Sequence, residues 1–175
     1  MSKSLNYDKK EVIAAHIKAI MDLLNIEENE SNKDTPNRIA KMYYDEVFGT
    51  RNNQGIKELN NTITLFPAEN SNPVFVEVPF YSMCEHHWLP FMGFVSISYT
   101  PDKQIIGLSK IPRVVNFFSK KPQVQERLTD EIGKYLVGCM DPSELSVKIV
   151  AEHTCVSMRG VKSPCKTTTM FNYTK

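Results

Sequence analysis

Three of the four histidines in this chain lie in two short stretches that each also contain a cysteine. The first stretch carries Cys84, His86 and His87, and the second carries His153 and Cys155. Thiolate and imidazole are ligands that zinc prefers in proteins, and a histidine beside such an ion can carry protons. The two stretches therefore predict a metal-dependent catalytic site, provided that the fold brings them together.

Spacing within the stretches predicts which residues hold the metal. Cys84 and His87 are separated by two residues, so a single turn of chain can present both to one ion. Residues 145–155 alternate as a strand in which odd-numbered side chains share a face, which makes Cys155 the predicted third ligand. Two thiolates favour zinc, and three protein ligands with an open fourth position are typical of catalytic zinc, which lowers the pKa of water toward ~7. The other two histidines, His86 and His153, are the predicted proton carriers.

A second group of residues could bind an anion and a purine base. Ser109 is a predicted N-cap of a helix whose first turn carries Lys110 and Arg113, and the N-terminus of a helix favours anions. Arg159, on the predicted face of His153, could join these cations. Further along, the carboxylate of Glu126 could accept two neighbouring N–H groups of guanine. Taken alone, each feature is more often part of a solvated helix surface.

The elements that must position these residues follow an α+β order. Apolar residues at helical spacing between Val12 and Ile26 predict a first helix, and Asp34 or Thr35 caps a second one that carries Arg38 and Lys41. We expect an N-terminal helical region, 1–60, and a catalytic domain, 61–175. The predicted elements of that domain are strands 62–66, 74–78 and 93–99, helices 109–119 and 124–139, and strands 145–159 and 166–173.

Composition excludes several classes of function. The net charge is +1, and no basic or acidic run indicates nucleic acid as a partner. No apolar run approaches the ~18 residues of a membrane span, and the first residues lack the apolar core of a signal peptide, so a cytoplasmic location is expected. No glycine-rich loop of the Walker or dinucleotide type is present, which argues against a kinase or dehydrogenase.

Taken in order, four motifs resemble the GTP cyclohydrolase I family. They are CEHH at 84–87 followed by Pro-Phe, GLSK at 107–110 with Arg113, QVQERLT at 123–129, and HTC at 153–155 with Arg159. Residues 34–43 also resemble the helix that precedes the sheet in this family. The resemblance covers residues 34 to 160.

The resemblance implies a fold and an assembly. The family has the tunnelling fold (T-fold), in which a four-stranded antiparallel sheet has two helices between its halves. Subunits join their sheets into barrels, commonly as a decamer of two pentamers with active sites between subunits. Such an assembly suits a chain whose sheet edges must otherwise be covered.

The resemblance also implies a reaction and a role for each motif. GTP and water give 7,8-dihydroneopterin triphosphate and formate, after attack on C8 of the purine at a zinc site of Cys84, His87 and Cys155. His153 would be the main acid and base, and His86 would assist ring opening near the ribose. The implied substrate contacts are Gln125 and Glu126 to guanine, Lys110, Arg113, Arg159 and nearby Ser109 to the triphosphate, and Arg38 and Lys41 to phosphates of a neighbouring subunit.

Three other readings stay open from the sequence. The first is an enzyme of the same fold with a different purine or pterin substrate. The second is a zinc protein that binds a nucleotide as a regulator without turning it over. The third is a nucleophilic hydrolase that uses Cys84 or Cys155 with a histidine. The sequence also leaves open whether a product would serve folate, biopterin or a modified tRNA base.

Overall fold

The computed structural model of this 175-residue chain describes residues 8–49 and 53–175. The chain divides after Gly49 into two compact units. The first unit contains helix α1 (Lys9–Leu23) and helix α2 (Thr35–Lys41), which continues into a π-helical turn, Met42–Val47. The Asp8 side chain caps α1 by accepting a hydrogen bond from the backbone N–H of Lys10 at 2.9 Å.

Helix α2 begins as the sequence predicts, with proline in its first turn. Pro36 is buried there, where its missing N–H leaves no helical hydrogen bond unmade. Asp34 occupies the N-cap position, but its side chain makes no capping hydrogen bond. Its carboxylate instead lies 3.9 Å from the guanidinium of Arg38. Both side chains are exposed, so this ion pair contributes little to stability.

The second unit contains the remaining helices and all the strands of the described ranges. Its elements, in chain order, are α3 (Asn53–Thr62), β1 (Leu65–Pro67), β2 (Val74–Cys84), β3 (Pro90–Thr100), β4 (Gln104–Ile106), α4 (Lys110–Ser119), β5 (Pro122–Gln123), α5 (Gln125–Met140), β6 (Glu144–His153), α6 (Thr154–Ser157) and β7 (Lys166–Thr174).

The main sheet has the strand order β5-β2-β3-β6-β7. Its four long strands, β2, β3, β6 and β7, pair antiparallel, and the two residues of β5 pair parallel to the end of β2. Helices α4 and α5 are inserted between β3 and β6 and pack on one face of the sheet. The architecture is therefore α+β, with a helical layer on a mixed, mainly antiparallel sheet.

The core lies between the two inserted helices and the sheet. Alternate residues of the central strands point into it, as the period of two predicts, and they include Val95, Ile97, Val147 and Ile149. The helices contribute apolar side chains at three- and four-residue spacing. These are Ile111, Val114, Val115 and Phe118 from α4, and Leu128, Ile132, Leu136 and Met140 from α5.

Strand β6 is shorter than the sequence predicts. It ends at His153, whereas the prediction carried the strand to residue 159, and the next residues form the single helical turn α6. Both neighbouring strands end at this level: Phe91 pairs with His153, Lys166 pairs with Glu152, and Pro90 has no N–H to continue the ladder. The Thr154 hydroxyl donates to the Pro90 carbonyl at 2.6 Å and thereby fixes the turn.

Among residues 8–49 and 53–175, we find no helix whose length and apolar character would allow it to cross a membrane.

Candidate active site

The three predicted metal ligands meet in the structure. Cys84 is the buried last residue of β2, His87 lies in the loop that leads to β3, and Cys155 lies in α6. Their ligand atoms all lie within 4.8 Å of one another. Cys155 reaches the cluster from a helical turn, so the strand geometry that predicted it was wrong although the residue is in place.

The geometry and chemistry of the cluster fit zinc. The sulfur atoms of Cys84 and Cys155 are 3.7 Å apart, and two thiolates at about 2.3 Å from a tetrahedral ion would be separated by roughly 3.8 Å. Burial, with the adjoining Cys84 sulfur, raises the pKa of the Cys155 thiol. Two such thiolates repel each other unless a cation lies between them, and two thiolates with one imidazole are a zinc donor set.

The loop between β2 and β3 is a tight turn that presents His87 beside Cys84. The backbone N–H of Cys84 donates to the Leu89 carbonyl at 2.9 Å, and the N–H of Trp88 donates to the Cys84 carbonyl at 2.9 Å. Trp88 has a φ of 52°, which lets the chain reverse within five residues. The Cys-x-x-His spacing therefore works here as the sequence predicts.

Arg127, on the first turns of α5, anchors this loop. Its guanidinium donates to Glu85 at 2.5 Å, to the Pro122 carbonyl at 2.9 Å and to the Gln123 side chain at 2.8 Å. The hydrogen bond and charge of Arg127 lower the pKa of the Glu85 carboxyl. The backbone N–H of Glu85 also donates to the Gln123 carbonyl at 3.0 Å, so side chain and backbone fix the loop together.

His153 is held between an aromatic ring and an amide. Its ring stacks on Phe91 with centroids 4.5 Å apart and planes 5° from parallel. Its Nε2 lies 2.9 Å from the side-chain oxygen of Gln125. Burial lowers the pKa of His153, and the nearby Glu126 carboxylate opposes that shift. The ring is therefore neutral at neutral pH and is able to accept a proton.

His86 and Arg159 lie at the exposed side of the cluster. The His86 Nδ1 is 3.7 Å from the Cys84 sulfur, and its ring centroid is 6.5 Å from that of His87. The Arg159 guanidinium lies 2.7 Å from Nε2 of His87. An arginine at this position adds positive charge beside the histidines and could receive an anionic group of a ligand.

The guanine-binding candidates differ in their surroundings. Glu126 is exposed in the first turn of α5, where its carboxylate can meet a ligand. Gln125 is 1% exposed, and its amide is bonded within the protein. The sequence predicted that both residues contact guanine. It did not show that the two neighbouring side chains point in different directions.

The basic helix start is observed at α4. Lys110 and Arg113 lie in its first turn, and Ser109 occupies the N-cap position without making a side-chain capping bond. In the described part of the chain, no hydrogen bond or ion pair joins these residues to the cysteine–histidine cluster. Arg113 lines an open groove of about 600 Å³ between α4 and the exposed edge of β2. Arg38 and Lys41 belong to the first unit and are exposed.

Two residues of the site received no role from the sequence. Phe91 is fully buried against His153, and Arg127 anchors the loop that carries His87. Phe91 could have been found from strand register, since it pairs directly with His153. Helical spacing does not identify Arg127, because its partner Gln123 lies in β5, before the start of α5.

Comparison with known proteins identifies relatives of this chain. A family model described as GTP cyclohydrolase I matches residues 13–175. The chain is 44% identical over 163 residues to GTP cyclohydrolase 1 of Wigglesworthia glossinidia brevipalpis, covering 90% of this chain and 74% of that protein. It is 47% identical over 136 residues to GTP cyclohydrolase 1 of a Sulfurihydrogenibium species, covering 77% and 69%. A solved structure, the archaeosine synthase QueF-Like in the apo form, aligns with a TM-score of 0.45 and 12% identity over 58% of this chain and 95% of that one.

The match spans the cysteine–histidine cluster, His153 and the start of α4, and it extends into the first unit. The chain therefore belongs to the GTP cyclohydrolase I family, a family of hydrolases.

Proposed function

We propose that this protein is a zinc-dependent GTP cyclohydrolase I. It would hydrolyse GTP at C8, open the imidazole ring, release formate and rearrange the product to 7,8-dihydroneopterin triphosphate. The observation that carries the proposal is the cluster of Cys84, His87 and Cys155, whose ligand atoms lie within 4.8 Å of one another in a chain of this family.

These three residues would hold Zn²⁺. When bound, the ion would supply Lewis-acid chemistry, which lowers the pKa of water and polarises a substrate atom. The alternative of a cysteine nucleophile is weaker, because burial raises the pKa of Cys155 and leaves little thiolate in the absence of a cation.

His153 would move the proton at the purine ring. Its neutral, partly buried imidazole can take a proton from water and return it to the imidazole nitrogen of the base as C8 is attacked. The stacked Phe91 keeps the ring in one plane, so the acid–base group is already oriented before the substrate binds. His86, which is exposed beside the cluster, would assist ring opening on the ribose side.

The charged residues would hold the two ends of the nucleotide. The Glu126 carboxylate would accept hydrogen bonds from guanine, with Gln125 adjoining it in the chain. Lys110 and Arg113 would hold the triphosphate at the N-terminus of α4, with Ser109 nearby, and Arg159 would add a third cation. Arg38 and Lys41 would reach the phosphates of a neighbouring subunit.

The assembly in this proposal is that of the T-fold: sheets of several chains joined edge to edge, as a decamer of two pentamers with active sites between subunits. Residues 61–175 would form the catalytic domain after an N-terminal helical region, 1–60, and the enzyme would act in the cytoplasm. The supporting observation is that β5 pairs with only Met83 and Cys84, so that within the described chain most of β2 has an uncovered edge.

Purified, metal-analysed protein incubated with GTP tests the proposal. We expect one zinc per chain, release of formate, and neopterin fluorescence after oxidation and phosphatase treatment. His153→Ala should keep the zinc and lose formate release, whereas His16→Ala, which alters an exposed histidine of α1, should keep both. Zinc-loaded protein that releases no formate from GTP would refute the proposal and favour a different substrate or a non-catalytic nucleotide binder.

A further inference from the structure

Gln125 is buried where α5 meets the last two strands, and its amide contacts the backbone of both. The side-chain nitrogen lies 3.1 Å from the Ile149 carbonyl of β6 and 3.0 Å from the Thr167 carbonyl of β7. The side-chain oxygen lies 2.9 Å from Nε2 of His153. With 1% of its surface exposed, this amide has all its partners within the protein.

The carbonyls of Ile149 and Thr167 determine the orientation of the Gln125 side-chain amide. A backbone carbonyl can only accept a hydrogen bond, so the atom that faces Ile149 and Thr167 must be the amide NH₂. The other orientation would place the side-chain oxygen against two carbonyl oxygens in a buried site, where such repulsion is costly. The atom that faces His153 is therefore the oxygen.

The orientation of the amide then determines the tautomer of the histidine. An amide oxygen cannot donate, so Nε2 of His153 must carry the hydrogen in their contact. The neutral ring consequently has its lone pair on Nδ1. Among the residues that the structure describes, none is hydrogen-bonded to Nδ1.

We propose that Gln125 is a positioning residue that fixes His153 as its Nε2–H tautomer, which makes Nδ1 the nitrogen that exchanges protons with the substrate. The proposal rests on the proposed GTP cyclohydrolase function. It assigns Gln125 to the histidine and leaves the side chain of Glu126 to contact the guanine base. Phe91 fixes the plane of the ring and Gln125 fixes its rotation within that plane.

The unaltered protein provides the direct test. Zinc-loaded full-length protein with ¹⁵N-labelled histidine rings is studied by solid-state NMR at pH 8, above the ordinary pKa of histidine, and His153→Ala identifies the two signals that belong to His153. We expect a protonated Nε2 and a bare Nδ1. A protonated Nδ1 would overturn the proposal, and this result does not depend on whether a variant folds.

Two variants extend the test. Gln125→Met removes the acceptor at similar volume, and the His153 signals should then show a mixture of tautomers. Ser119→Ala is the control, because Ser119 is also a buried polar residue but its hydroxyl donates to the Val115 carbonyl within α4. It should leave the His153 ring nitrogens unchanged, and unchanged signals in Gln125→Met would contradict the proposal.

Kinetics separate positioning from direct substrate contact. Gln125→Met should lower kcat by about 10–100-fold with KM for GTP within about twofold. In the inactive His153→Ala protein, adding Gln125→Met should leave the dissociation constant for GTP unchanged, measured by calorimetry. A tenfold weaker binding of GTP there would overturn the proposal, since Gln125 would then contact the base itself. If the unaltered enzyme releases no formate, the proposed function fails, and the NMR signals still decide the tautomer.

Discussion

The guanidinium of Arg127 ties together three pieces of chain around the loop that carries the proposed metal ligand His87. It reaches Glu85 in the loop, the Pro122 carbonyl of β5 and the side chain of Gln123. Groups that orient a metal ligand without touching the metal commonly matter for metal affinity almost as much as the ligands do. Arg127 should therefore act on the metal site although none of its atoms is a ligand.

We expect Arg127→Met to weaken zinc binding by about 10–100-fold. Without its anchor, the loop that carries His87 would lose conformational entropy when it adopts the binding geometry. Competition against a chromophoric chelator measures this affinity. Lys134→Met is the control, since it removes an exposed i,i+4 ion pair with Asp130 on the same helix. Equal zinc affinities for the two variants would show that the loop is held without Arg127.

At the same scale, the sequence predicted ligand types better than side-chain directions. Cys84 and His87 could be paired because their spacing alone allows both to reach one ion, whatever the rest of the chain does. The role of Gln125 could not be predicted, because it depends on how α5 is rotated over β6 and β7. That rotation points Gln125 inward and Glu126 outward, and it follows from the packing of the whole helix.

Among the elements, α5 joins the site to the core. Its first turn carries Gln125 and Glu126, and its buried face packs on β6 and β7. One position of this helix approaches the sheet very closely: a Cβ added at Gly133 would lie 2.2 Å from the ring of Phe171 in β7. Because Gly133 has no side chain, α5 can lie this close to β7. The same strand accepts a hydrogen bond from the Gln125 amide.

Gly133→Ala should destabilise the protein by about 1–3 kcal/mol, because the Phe171 ring must move in a packed core. Gly138→Ala, in the same helix, is the matched control: its Cβ would meet nothing within 4 Å. It should stabilise the protein by up to about 1 kcal/mol through higher helix propensity. Thermal unfolding of both variants under identical metal loading measures the difference.

A shift of the two unfolding midpoints in the same direction would contradict this account of Gly133. The comparison also addresses the site, since Gly133→Ala should disturb the contact between α5 and β7 that holds the Gln125 amide. Its kcat should then fall together with its stability, whereas that of Gly138→Ala should not.

The elements also show that sequence patterns predict the type of an element better than its ends. The alternation in residues 145–153 correctly predicted the strand face that carries His153. The strand was extended too far, because alternation says nothing about where the partner strands end. Helix α3 was not predicted as a separate helix, because residues 53–62 contain few apolar residues at helical spacing.

At the scale of the molecule, no described contact joins the two parts of the candidate site within one chain. The metal cluster and His153 lie at one end of the sheet, and the cations of α4 have no described hydrogen bond or ion pair to them. Both outer strands of the sheet have an edge that no long strand of the described chain covers. Uncovered edges pair readily with other chains, and in the proposed assembly that pairing would bring the α4 cations of one subunit to the cluster of another.

Mixed assemblies test this division of the site. His153→Ala lacks the proton carrier, and Lys110→Ala lacks a phosphate cation, so each protein alone should release little formate. When the two are unfolded, mixed in equal amounts and refolded together with zinc, about a quarter of the shared sites would combine an intact His153 with an intact Lys110 from the neighbouring chain. We therefore expect formate release to recover to about a quarter of the unaltered activity. Refolding each variant alone controls for the treatment, and a mixture no more active than those controls would place both residues of each site in one chain.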